Sequence, residues 1–170
     1  MEQQPGLAIR YRLYLDLARQ VPGAEPAAIE TYLQFGQVAR ARVASQETFL
    51  ARFGLSEGKL VVLQLLHQAP RERRTPSALA DAAGVTRGTM TGLLAGLERA
   101  GLVTRAVHPD DARMFTIELA APARDLLERV LPERVARIMA FMAALTPEEQ
   151  CQLRGLLAKL EGAMSALSSP

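Results

Sequence analysis

Thr75–Leu119, TPSALADAAGVTRGTMTGLLAGLERAGLVTRAVHPDDARMFTIEL, decides how the chain folds. Thr75 is placed to accept from a free backbone N–H, and Pro76 fits the first helical turn, where its missing donor costs nothing. The short helix that follows should stop at Ala83-Gly84, because glycine takes the left-handed conformation a tight turn needs. Thr86 caps a second helix with Met90, Leu93, Leu94 and Leu97 inward, and Gly101 ends it. LVTRAVH and MFTIELA then read as strands, with Phe115, Ile117 and Leu119 on one face and Met114, Thr116 and Glu118 on the other. Two helices about a glycine turn, followed by a hairpin with an Asp/Arg-rich tip, make a winged helix-turn-helix. Its second helix and its wing have the dimensions to enter the grooves of duplex DNA.

The flanking sequence is helical. Leu7, Tyr11, Tyr14, Leu15 and Ala18 form a weak stripe over 7–20, broken by VPGAEP. A long helix is expected from Ala27 to Arg52, with Ile29, Leu33, Phe35, Val38, Val43, Phe49 and Leu50 on its apolar face. Ser56 caps LSEGKLVVLQLLHQA, which is apolar enough to be buried on most sides and carries His67. After the hairpin, Pro122 opens a long helix with Pro132 inside it as a kink site. Thr146-Pro147-Glu148-Glu149 is a capping box that starts the last helix. The expectation is a mainly α protein of six or seven helices with a small β-hairpin wing. It divides into an N-terminal arm (1–25) that could form an extra helix, the winged helix-turn-helix (55–120), and a helical region (26–54 and 121–170) expected to serve dimerisation. Val135, Ile138, Phe141, Leu156, Leu160 and their neighbours are more apolar surface than one small lobe could cover.

The second helix of the motif opens with Thr86, Arg87, Gly88, Thr89 and Thr91. A helix end held in a major groove needs small or hydrogen-bonding residues there: Arg87 suits a guanine edge or a phosphate, and the hydroxyls suit phosphate oxygens. For Thr86, capping and DNA contact can hold together. At the wing, Arg113 could enter a narrow minor groove, with Asp111 holding it extended. Taken without context, a salt-bridged turn is the better reading of Asp111 and Arg113.

At this point the chain resembles the MarR family of bacterial transcription regulators, over roughly Ala27 to Leu160. The resemblance is carried by Leu79-Ala80, VTRGTMTGLL (85–94), LERAGLVTR (97–105) and Asp111-Ala112-Arg113, together with the order of the parts. It implies a homodimer joined through its first and last helices, reading a palindrome in double-stranded DNA. Arg113 would then be the minor-groove residue, Asp111 its orienting partner, and Arg87, Thr89 and Thr91 would face the major groove. It also implies release by a small organic effector, with phenolic acids the candidate class, bound between the dimerisation helices and the reading lobe; His67 lies near that place. The chain departs from the family in three ways. Gly92, Ala95 and Gly96 stand where many members carry charged anchors, Leu119-Ala120 replaces the usual Leu-Thr, and the tryptophan of the urate-responsive branch is missing. The first departure shifts the burden of phosphate contact to the wing and to Arg71, Arg73 and Arg74, although a solvated basic loop would look the same. The missing tryptophan leaves the N-terminal arm as an extension of the dimer interface.

Composition agrees with a DNA-binding protein without demanding one. In 170 residues, 49% hydrophobic, the net charge is only +2, and Lys and Arg together number 20. All but Lys59 and Lys159 of these are Arg, whose planar fork suits phosphates and base edges; codon bias is the plainer explanation of the count. There is no run of 18 apolar residues and no secretory leader, and the single cysteine, Cys151, fits a reducing cytosol. A cytoplasmic protein is expected. Cys151 reads as a buried structural thiol in the last helix rather than a redox sensor. His67 reads as a core histidine before it reads as an effector contact, and His108 as a solvated strand-end residue. No catalytic set, metal cluster or phosphate loop is visible, so neither enzyme activity nor a cofactor is expected. Two alternatives remain: a winged-helix protein-interaction module with weakened DNA binding, and a redox-sensing regulator using Cys151. Repression is the expected output.

Overall fold

The computed structural model describes residues 5–68, 75–107 and 115–167, with side chains from Tyr11 onward. The order is α1 (Pro5–Gln20), α2 (Pro26–Ala51), α3 (Glu57–Gln68), α4 (Pro76–Ala83), α5 (Arg87–Arg99), β1 (Val103–Val107), β2 (Phe115–Leu119), α6 (Ala121–Met142) and α7 (Pro147–Leu167). The chain forms two compact units, Met1–Leu60 and Val61–Pro170, divided within α3.

In the first unit α1 packs against α2. Pro26 sits in the first turn of α2, and the helix runs to Ala51. It ends in a Schellman turn, with Gly54 N–H donating to the Ala51 carbonyl and Leu55 N–H to the Leu50 carbonyl. Ala18, Phe49, Leu50, Leu55 and Leu60 are buried in this unit. Phe49 and Phe53 meet edge to face at 5.3 Å between ring centres, with the Arg52 guanidinium near both rings. The Ser56 Oγ accepts from Lys59 N–H at 3.3 Å, so the expected cap of α3 forms. The apolar face assigned to α2 is inward only in part: Phe35, Val38 and Val43 are exposed.

In the second unit α4 packs on α5 and on β2, and α5 on β1. The buried side chains are Val62, Leu63, Leu66, Leu79, Ala80, Met90, Leu94, Leu97, Val103, Thr116, Ile117, Ala123, Leu126, Leu127 and Val130. α6 is a continuous helix through Pro132 and starts at Ala120 without a side-chain cap, as Leu119-Ala120 implies. The Thr146 capping box forms in both directions: Thr146 N–H donates to Glu149 Oε2 at 2.8 Å, and Glu149 N–H to Thr146 Oγ1 at 3.3 Å.

β1 and β2 pair antiparallel, with Val103 opposite Leu119, Arg105 opposite Ile117 and Val107 opposite Phe115. Alternation puts these six side chains on one face. Phe115, Ile117 and Leu119 therefore share a face as expected, but Phe115 is exposed, as is its partner Val107. Both sit at the far end of the hairpin, where the burial that reaches Ile117 and Val103 gives out. Thr116, on the opposite face, is fully buried, and its hydroxyl donates to the Ala106 carbonyl at 3.3 Å. A hydroxyl taken out of water requires such an acceptor.

Two placements differ from the sequence reading. His67 is exposed at the end of α3, so it is not a core histidine; apolar character along α3 buries Leu63 and Leu66 but does not extend to its last residues. Cys151 is exposed on α7, so it is not a buried thiol; no residue of α7 is buried within one chain. Among the described residues, no helix is long and apolar enough to cross a membrane.

Candidate nucleic-acid interface

The candidate interface is built on the α4–α5 turn. The Thr75 hydroxyl accepts from Ala78 N–H at 3.3 Å, and Pro76 occupies the first turn of α4. Gly84, at φ 65° and ψ 34°, closes the helix, with its own N–H donating to Asp81 and Val85 N–H to Ala80. An L side chain in that left-handed region would be strained, so glycine sets the reversal between the two helices. Thr86 then starts α5, its backbone extended and its hydroxyl accepting from Thr89 N–H at 3.1 Å.

One face of α5 is inward, with Met90, Leu94 and Leu97 buried. Thr86, Arg87, Gly88, Thr89, Thr91 and Gly92 are all exposed. The five reader positions expected from sequence thus come together on the open end of one helix. The N–H groups of Arg87 and Gly88, in the first turn, have no intrahelical carbonyl to donate to, and they lie at the positive end of the helix dipole. A guanidinium, first-turn N–H groups and hydroxyls around a helix N-terminus suit an anionic oxygen.

The hydroxyls contribute less than their number suggests. Thr86 Oγ1 and Thr89 Oγ1 are 2.9 Å apart, so one donates to the other, and Thr91 Oγ1 donates to the Arg87 carbonyl at 2.9 Å. Of three hydroxyl protons, one is left to offer outward without breaking an internal bond. Gly92 adds no side chain, and nothing lies within 4 Å of where its Cβ would stand. Arg87 is accordingly the one charged side chain among these six exposed positions.

Arg73, Arg74, Asp111 and Arg113 lie outside the described residues, as do Arg71 and His108. His67 is described and exposed. Sequence reasoning missed one contact: Arg105 Nε on β1 donates to Glu98 Oε1 on α5. A clue was present in LERAGLVTR, where Glu98 falls in the last helical turn, the unfavourable end of the dipole for a carboxylate.

Comparison with known proteins places this geometry. A MarR family sequence profile matches residues 53–114. The HTH-type transcriptional repressor YetL of Bacillus subtilis is 34% identical over 141 residues, covering 83% of this chain and 84% of that protein. The chain belongs to the MarR family of transcriptional regulators. Its fold agrees with solved members. AbsC of Streptomyces coelicolor superposes with a TM-score of 0.67 at 24% identity, covering 86% of this chain and 97% of that one. MepR of S. aureus, in a crystal structure of its DNA complex, superposes with a TM-score of 0.64 at 22% identity, covering 78% and 95%. The mostly helical fold with one antiparallel hairpin is that of a MarR winged helix, and the proteins so named are transcriptional regulators rather than enzymes.

Proposed function

We propose that this MarR-family chain is a repressor that binds palindromic duplex DNA as a homodimer and is released by a small organic effector. The observation that carries the reading is the exposed N-terminal end of α5, where Thr86, Arg87, Gly88 and Thr89 surround first-turn N–H groups while the opposite face is locked into the core. Arg87 contacts a phosphate or a guanine edge, Thr86 and Thr89 share one outward hydroxyl proton, and Thr91 lines the groove. Arg73, Arg74 and Arg113, with Asp111 orienting Arg113, add phosphate and minor-groove contacts. MepR in its DNA complex and YetL, named a repressor, are the relatives that favour this assignment.

Dimerisation is supported by the apolar surface of the C-terminal helices. Val135, Ile138, Met139 and Phe141 on α6, and Leu156, Leu160 and Met164 on α7, are exposed in the single chain. Paired lobes must hold their recognition helices roughly 34 Å apart, one turn of B-DNA, and a ligand fitting another separation shifts the population off DNA. Phenolic acids are the effector class to screen, and the exposed imidazole of His67 is the candidate contact.

The test is fluorescence anisotropy on a duplex recovered from a randomised pool by the wild-type protein. Affinity should fall linearly on a log–log plot against salt, as phosphate contacts release counterions. Recovery of no duplex, or binding indifferent to salt, would remove the reading in favour of a protein-interaction module.

A further inference from the structure

One face of the hairpin carries Val103, Leu119, Ile117, Val107, Phe115 and a single charge, Arg105. Arg105 stands directly opposite Ile117, which is fully buried. Arg105 is itself exposed, and the one charge on this apolar row has a partner. That partner is Glu98, whose carboxylate on α5 accepts from Arg105 Nε. Glu98 is itself unfavourably placed, in the last turn of α5 where backbone carbonyls already gather negative charge. Glu98 is thus in a position its own helix disfavours, and the Arg105 guanidinium offsets it.

The pair also bridges the two elements that the proposed function sends to different grooves. Between them the chain makes a Schellman turn, with Gly101 at φ 67°, its N–H donating to Glu98 and Leu102 N–H donating to Leu97. The turn fixes where β1 begins. The side-chain bond lies two residues further out, at Arg105, and so limits how far the hairpin can swing about that turn.

We propose that Glu98 and Arg105 are positioning residues that set the angle between recognition helix α5 and hairpin β1–β2, and so allow both to seat on one duplex. This rests on the DNA-binding reading above. The pair is partly exposed, 42% for the Arg105 side chain and 29% for Glu98. An ion pair at that exposure contributes little to stability, so its effect should appear in geometry rather than in melting.

The experiment compares full-length wild type, Glu98→Gln, Arg105→Gln and the swapped pair Glu98→Arg with Arg105→Glu, on the duplex recovered by the wild type. Hydroxyl-radical cleavage reads the flanking minor groove, and dimethyl sulfate reads guanine N7 in the major groove. The single variants should bind about 2–5-fold more weakly, a loss within the range of one exposed ion pair. They should lose flank protection first and keep N7 protection, with a melting shift below about 4 °C. The swap should restore the flanks. Unchanged flanks, equal loss in both grooves, no rescue by the swap, or tighter binding by Glu98→Gln (the sign that Glu98 merely masks a phosphate-binding Arg105) overturns the inference. A wild type that recovers no duplex removes the DNA-binding reading, and this inference with it; a wild type that binds beside unaffected variants removes the inference alone.

Discussion

Thr86 joins two demands in one side chain. Its hydroxyl caps α5 through Thr89 N–H while sharing a hydrogen bond with the Thr89 hydroxyl at the exposed end of the helix. Thr86→Ala removes the cap and should cost about 1 kcal/mol, lowering the melting midpoint by roughly 2–4 °C in calorimetry. Thr86→Ser keeps the cap and should stay near wild type, whereas equal loss in both variants would count against capping as the cause. Arg87 makes the opposite case: it is exposed and outside the core, so Arg87→Ala should leave melting unchanged while weakening duplex binding by about 1–3 kcal/mol in anisotropy titrations. Gly92 offers a gain, because a Cβ there meets nothing within 4 Å and the φ is not left-handed. Gly92→Ala should therefore stabilise the protein by up to about 1 kcal/mol from helix propensity. A lowered midpoint would mean that glycine at this position answers a packing need.

At the scale of elements, most of the architecture was legible because its signals are local. Thr75-Pro76, Gly84, Thr86, Gly101 and the Thr146 box each act within five residues of chain, and each forms the cap or turn its sequence dictates. The long helix expected over Ala27–Arg52 runs from Pro26 to Ala51 for the same reason. Burial was less legible, because it depends on what arrives from elsewhere in the chain. His67 shares a helix with buried Leu63 and Leu66, yet it lies at the end, where cover stops. Cys151 was assigned to a core that α7 does not have within one chain. Phe115 shares its face with buried Ile117 yet is exposed, since period-two alternation assigns a side to each residue but not how far the cover over that side extends. The Glu98–Arg105 contact joins two elements and needed the strand register before it could be seen. Of the candidate reader, the Thr86 cap and the exposed start of α5 were legible because a cap and an open helix end select the same small hydroxyl residues.

At the scale of the molecule, α7 poses the sharpest question. It runs 21 residues with no buried side chain, although Leu156, Leu160 and Met164 recur at four-residue spacing and are 57%, 51% and 61% exposed. Spacing of three to four residues keeps side chains on one helix face, so these three form a stripe. Monomeric proteins seldom leave such a stripe in water, and a second copy of the chain covers it in the proposed dimer. Light scattering should then give about 37 kDa in solution, twice the 18.5 kDa of the chain. Leu160→Glu places a charge at the middle of the stripe. An unpaired buried charge is costly, so the variant should shift to the monomer mass. Because α7 contributes no buried residue within one chain, each winged lobe should keep its fold, visible as an unchanged helical circular dichroism spectrum. Duplex binding should fall far more than tenfold, since two lobes held at one spacing bind with an effective concentration that separate lobes lack. A wild-type mass of 18.5 kDa would remove the dimer altogether, and a Leu160→Glu protein that stays dimeric and binds as before would place the interface somewhere other than α7.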